Sequence, residues 1–136
     1  MNATLIQKTK SAQRCLARAR EVYHKSQEDF DEDYNAQDVA VLNLIRLCEL
    51  SIDIANFLIR RDKLGIPDSS ANAFELLGQA GVIDRQSVAC MHNMVGFRNV
   101  AVHQYQELDI NIVIRVIEKD SNDVINCLDQ IMDRET

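Results

Sequence analysis

Apolar positions recur at three- and four-residue steps along nearly the whole chain of 136 residues. That is the pattern of amphipathic helices. Leu5, Ala12, Leu16, Ala19 and Tyr23 mark one face of a first helix from about Thr4 to Lys25. Glu28 to Tyr34, with five acids in seven residues, breaks the pattern and reads as a solvated connection. From Ala36 to Lys63 apolar residues nearly surround the helix: Val39, Leu42, Leu44, Ile45, Leu47, Ile52, Ile54, Phe57, Leu58 and Ile59. Such a helix is central and packs on several neighbours. Gly65 and Pro67 are placed to end it.

Ser69 or Ser70 is placed to cap a short helix that runs to about Ala80 and stops at Gly81. Asp84 caps a helix that carries Val88, Met91, Val95 and Val102 and fades near His103 to Tyr105. Asp109 caps the last helix, where Ile110, Ile114, Ile117, Val124, Leu128 and Ile131 keep heptad-like spacing to the C-terminus. The β-branched residues there also suit a strand, but three/four spacing over this length decides for helix. Four long helices and one short one, on short connections, predict an all-α, antiparallel four-helix-type bundle forming one domain over residues 1–136.

Composition narrows the class. At 46% hydrophobic and 26% charged, the chain has the makeup of a soluble globule. Four glycines, one proline and no tryptophan disfavour an all-β fold. No apolar run approaches the roughly 20 residues that span a bilayer. The N-terminal MNATLIQKTKSAQR has no apolar signal core, so a cytoplasmic protein is expected. Cys15, Cys48, Cys90 and Cys127 are isolated and lie in helical pattern. Buried free thiols fit better than a disulfide framework or a zinc site.

The net charge of −6 at first argues against a nucleic-acid partner. It is unevenly spread. Residues 1–25 carry +5, residues 26–38 carry −6 and residues 39–136 carry −5. Lys10, Arg14 and Arg18, spaced by four, make a basic stripe on the first helix. It is either a solvated face or a track for RNA phosphates, in which case RNA contact is confined to a small patch of motif and first helix. The acidic stretch Glu28 to Asp33 lacks a recognisable metal-ligand spacing. A solvated loop or a contact for basic residues of a partner remains open there.

Of the three histidines, His24 sits near the end of the first helix, where it suits the last carbonyls or solvent. His92 and His103 share the helix after Asp84. His92, Gly96, Asn99 and His103 fall on one face at steps of four, three and four. Glycine inside a helix costs about 1 kcal/mol relative to alanine, a cost that close approach of a partner or ligand offsets. Asn99 and His103 are one turn apart and within reach of each other. Arg98 and His103 lie about 140° apart on an ideal helix of 3.6 residues per turn. They converge on one ligand only if the helix ends near His103 or a second subunit completes the site. Spacing alone favours a surface Arg98, a capping His103 and a packing Tyr105 over a shared site.

The run Phe97-Arg98-Asn99-Val100-Ala101-Val102-His103-Gln104-Tyr105, followed by Leu108-Asp109, resembles the signature of the HepT-type toxins of the HEPN superfamily. Leu64-Gly65-Ile66-Pro67-Asp68-Ser69, Ala73-Phe74-Glu75-Leu76-Leu77 and Ala80-Gly81-Val82-Ile83 resemble that family's loop and short helix. Glu49-Leu50-Ser51-Ile52-Asp53-Ile54-Ala55 fits its central helix. The resemblance covers about residues 36–117.

The resemblance implies a metal-independent endoribonuclease toxin without a cofactor, working as a homodimer that brings two motifs into one cleft. It implies Arg98 and His103 as the catalytic pair, Asn99 as a supporting residue and Tyr105 as acceptor of AMP. The donor enzyme would be a minimal nucleotidyltransferase acting as antitoxin. His92, Lys10, Arg14 and Arg18 are further candidates for RNA contact. The chemistry suits these residue types: RNA supplies its own 2′-OH, histidine moves protons near neutrality, and arginine offers a fork of donors to phosphate. A 2′,3′-cyclic phosphate product is expected. The alternative is a non-catalytic HEPN module that docks and regulates the nucleotidyltransferase.

Overall fold

A computed structural model describes residues 2–136. Helix α1 spans Ala3–Ser26, α2 Tyr34–Asp62, α3 Ser70–Gln79 and α4 Arg85–His103. The last rod is α5 (Ile110–Arg115), a π turn (Val116–Asp120) and α6 (Ser121–Glu135) in continuous succession. Short 3₁₀ turns at Gln27–Asp29 and Tyr105–Glu107 flank α2 and α5.

Side-chain caps set most starts. Asn2 accepts from the Thr4 and Leu5 amides, Asp33 from Ala36, Ser69 from Asn72, Asp84 from Ser87 and Asp109 from Asn111. Each satisfies an amide that the first turn leaves orphaned. Of the two candidate serines, Ser69 is the cap. The end of α2 differs from expectation. Lys63, in the left-handed region at φ 55°, closes the helix before Gly65 is reached, its amide bonded to the Ile59 carbonyl. The acidic connection is also less solvated than expected. Phe30 is buried and meets the Tyr23 ring edge-on, centroids 5.1 Å apart.

On α1, Leu5, Thr9, Ala12, Leu16, Ala19 and Tyr23 are buried. On α2, Ala40, Leu44, Leu47, Ser51, Ile54 and Leu58 are buried. Both sets alternate steps of four and three, the spacing of a knobs-into-holes seam. Lys8 reaches Asp53 at 3.5 Å, so the two helices run antiparallel. The other neighbours are antiparallel too. Arg98 of α4 bonds Glu49 of α2, the Asp84 amide at the start of α4 bonds Gln130 of α6, and Arg20 of α1 bonds Ser121 of α6. The helices therefore occupy four corners in the order α1, α2, α4, α6. α1 and α4 lie diagonally opposite, and α3 covers α2 and α4.

The π turn was not legible in the heptad-like spacing. One extra residue enters there, and the widened turn is closed by side chains. The buried Ser121 hydroxyl donates to the Ile117 carbonyl at 2.6 Å, and the Cys90 thiol points to the Asp120 carbonyl at 3.6 Å. Val102 departs from the apolar stripe assigned to it: it is 48% exposed, and Ala101 is the buried neighbour. All four cysteines are buried and free. No helix among the described residues is long and apolar enough to cross a membrane.

Candidate functional site

Helix α4 turns His92, Gly96, Asn99 and His103 outward together. A Cβ added at Gly96 meets nothing within 4 Å. Within one chain, therefore, nothing requires that glycine. His92 Nε2 stands 4.0 Å from the Glu75 carboxylate of α3, which Arg85 also holds at 2.8 Å.

Arg98 turns the other way. Its side chain is only 19% exposed and lies between α2 and the start of α3. Nη1 donates to Glu49 at 2.9 Å and Nη2 to the Ser70 hydroxyl at 3.4 Å, while Nε is buried with no hydrogen-bond partner among the described residues. His103 is the last residue of α4, where the Gln104 amide closes the helix on the Val100 carbonyl at 2.8 Å. Its ring is exposed. Among the described residues no hydrogen bond or ion pair joins His103 to Arg98, or His103 to Asn99. The predicted pair is thus adjacent in sequence order but divided between two faces, as the 140° separation requires.

Tyr105 begins the 3₁₀ turn and is 44% exposed. Its hydroxyl donates to the carboxylate of Asp38 on α2. Burial, then the Asp38 carboxylate, push the phenol up to about 12. The pair lines a groove of about 350 Å³ with Tyr34, Gln37, Val41 and Leu108.

Asp38 and Glu49, the partners of Tyr105 and Arg98, lie on α2, far outside the Arg-His-Tyr run. They are eleven residues apart, which returns to the same side of α2 after three turns, about 16 Å along the axis. One edge of α2 thus anchors both Arg98 and Tyr105. The signal was present in the spacing of Asp38, Leu42, Ile45 and Glu49 at steps of four, three and four. Leu42 on this edge and Val102 on α4 are 46% and 48% exposed.

The basic stripe lies elsewhere. Lys10, Arg14 and Arg18 are exposed on α1, at the corner diagonal to α4. Arg18 is already paired with Glu21 at 2.7 Å. The expected single patch of motif and first helix is therefore not formed in one chain. His24, next to the buried Tyr23, is exposed and lies 5.5 Å from the Tyr23 ring centroid to centroid.

A four-cornered helical bundle that presents Arg-x₄-His-x-Tyr at the open end of its third long helix is a HEPN-type architecture. The chain belongs to the Ribonuclease HepT-like family, whose model matches residues 12–131. It is 41% identical over 131 residues to a protein of Shewanella oneidensis named mRNA nuclease HepT, covering 96% of this chain and 98% of that one. Among solved structures, a tri-AMPylated HEPN toxin of Shewanella oneidensis in complex with MNT antitoxin matches with a TM-score of 0.92 at 41% identity. That match covers 98% of this chain and 99% of the other. A crystal structure described as a toxin–antitoxin with AMP-PNP also matches at TM-score 0.92, with 39% identity over 97% and 99% of the two chains.

Proposed function

We propose that this chain is the ribonuclease toxin of a toxin–antitoxin pair, acting in the cytoplasm as a homodimer. The observation that carries the reading is the exposed His103 at the end of α4, with Arg98 five residues before it and Tyr105 two after, in a chain 41% identical to an mRNA nuclease. The RNA 2′-OH attacks the adjacent phosphorus and the 5′-oxygen leaves. His103 transfers the proton, a role an imidazole side chain in reach of the reacting oxygen can fill. Arg98 stabilises charge on the phosphoryl oxygens, held by Glu49 and Ser70 in a fixed orientation. Asn99, on the same exposed face as His103, contacts phosphate or ring.

A dimer answers the division of Arg98 and His103 between two faces. Two copies of the motif in one cleft supply an acid and a base from the two His103 rings. The exposed Leu42 and Val102 offer apolar area for that contact. A forced monomer that kept full activity would remove this part of the reading.

Control comes from a nucleotidyltransferase antitoxin that transfers AMP to Tyr105. The added phosphodiester puts charge and bulk at the mouth of the site and repels substrate phosphate. The test is RNA cleavage by purified protein before and after AMP transfer, with end-group analysis and an EDTA arm. A 2′,3′-cyclic phosphate end, formed with or without EDTA and lost after transfer, is expected. Inactivity of folded wild type, with intact docking to the nucleotidyltransferase, would establish the non-catalytic module instead.

A further inference from the structure

The Tyr105 phenol is not a free surface group. Its hydroxyl is tied to Asp38, which stands on the second turn of the long, well-packed α2. That tie crosses 67 residues of sequence and joins the short 3₁₀ turn to the long helix of the bundle. The phenol is half-exposed, so a second protein can reach it, and the groove beside it leaves room for an incoming nucleotide. A neutral phenol is a weak nucleophile, and a carboxylate in hydrogen-bond contact with it is placed to take its proton.

From this geometry we infer that Asp38 belongs to the modification chemistry: it orients the Tyr105 hydroxyl and accepts its proton during AMP transfer. The inference rests on Tyr105 being the AMP acceptor. In the step, Tyr105 Oη forms a bond to the α-phosphorus of ATP held by the nucleotidyltransferase. The bond from that phosphorus to the bridging oxygen breaks, and pyrophosphate leaves. The phenolic proton passes to the Asp38 carboxylate and then to water. The toxin chain thus contributes a group to its own inactivation. Once formed, the phosphodiester anion faces the Asp38 carboxylate, and like charge drives the modified ring off α2.

The experiment is AMP transfer from ATP and magnesium by the separately purified nucleotidyltransferase, with full-length wild type, Asp38→Asn, Asp38→Glu and Tyr105→Phe as acceptors. Intact mass and peptide mapping follow the product. Thermal melting checks that each acceptor is folded, and Asp38→Ala replaces Asp38→Asn if the latter does not fold. Asp38→Asn is expected to lower kcat for transfer by about 10²-fold with KM for the acceptor chain within about twofold. Asp38→Glu should recover most of the rate. An unchanged kcat for Asp38→Asn, or a loss confined to KM, overturns the role of Asp38. AMP on wild type at a residue other than Tyr105, or undiminished addition to Tyr105→Phe, overturns instead the acceptor assignment beneath it.

Discussion

Glu49 and Arg98, forty-nine residues apart in the chain, are joined by a 2.9 Å hydrogen bond between α2 and α4. The contact does two things. It turns the guanidinium away from the solvent face that carries His103, and it leaves Nε buried with no hydrogen-bond partner among the described residues.

Glu49→Gln should therefore affect activity more than stability. The pair is partly open, with Glu49 48% exposed, so its loss costs under about 1 kcal/mol. Denaturant melts should show that small shift. RNA cleavage should fall more steeply, because a guanidinium without its anchor is displaced from the phosphate. Equal activity in wild type and Glu49→Gln would mean Arg98 does not act from this position.

His103→Ala should separate the two properties more fully. The ring is exposed and has no hydrogen-bond partner among the described residues. Surface changes of that kind shift stability by less than about 0.5 kcal/mol. Cleavage of RNA should drop about 10² to 10⁴-fold. Paired thermal melts and single-turnover cleavage assays read both.

Two glycines predict opposite signs. At Gly78 an added Cβ comes within 2.6 Å of Val88 Cγ2 in the α3–α4 contact, so Gly78→Ala should destabilise by about 1–3 kcal/mol. At Gly96 the space is open, and Gly96→Ala should stabilise by about 0.5–1 kcal/mol through helix propensity. Gly96→Ala should nevertheless lower cleavage, since it roughens the face shared with His92, Asn99 and His103. Urea titration with parallel RNase assay decides both.

Alkaline pH should unfold the protein through its thiols. Burial pushes Cys48, Cys90 and Cys127 from the usual 9.0 up to about 12. Folding thus favours the protonated thiol. That stabilisation is complete below pH 9 and is lost as pH rises toward 12. Melting temperature should fall progressively across this window. Replacing all three cysteines with alanine should flatten the fall, whatever it does to the plateau. Tyr105, raised from 10.0 to about 12, adds to the upper part of the window.

Much of the bundle was legible because its information is local. The caps at Asp84 and Asp109 and the four/three spacing of α1 depend on residues within a turn or two. The close of α2 at Lys63 was not, because a lysine in the left-handed region has no sequence mark. The seat of Phe30 depends on Tyr23, seven residues back in another element. At the site, periodicity placed His92, Gly96, Asn99 and His103 on one face and separated Arg98 from them. It could not say that Glu49 and Ser70 receive Arg98, or that Asp38 receives Tyr105. Those partners come from α2 and α3, and only the order of helices around the bundle brings them in. The π turn escaped for a related reason: it is held by Ser121 and by Cys90 of a different helix.

The diagonal setting of α1 and α4 bears on how the +5 of residues 1–25 acts on substrate. Packed helices stand about 8–10 Å apart, so opposite corners are separated by roughly 11–14 Å. At physiological ionic strength charges are screened over about 8 Å. The cations of α1 are therefore electrically muted at the motif of their own chain. Their attraction is confined to charges that pass the far corner, so the sign of the field differs from one side of the bundle to the other.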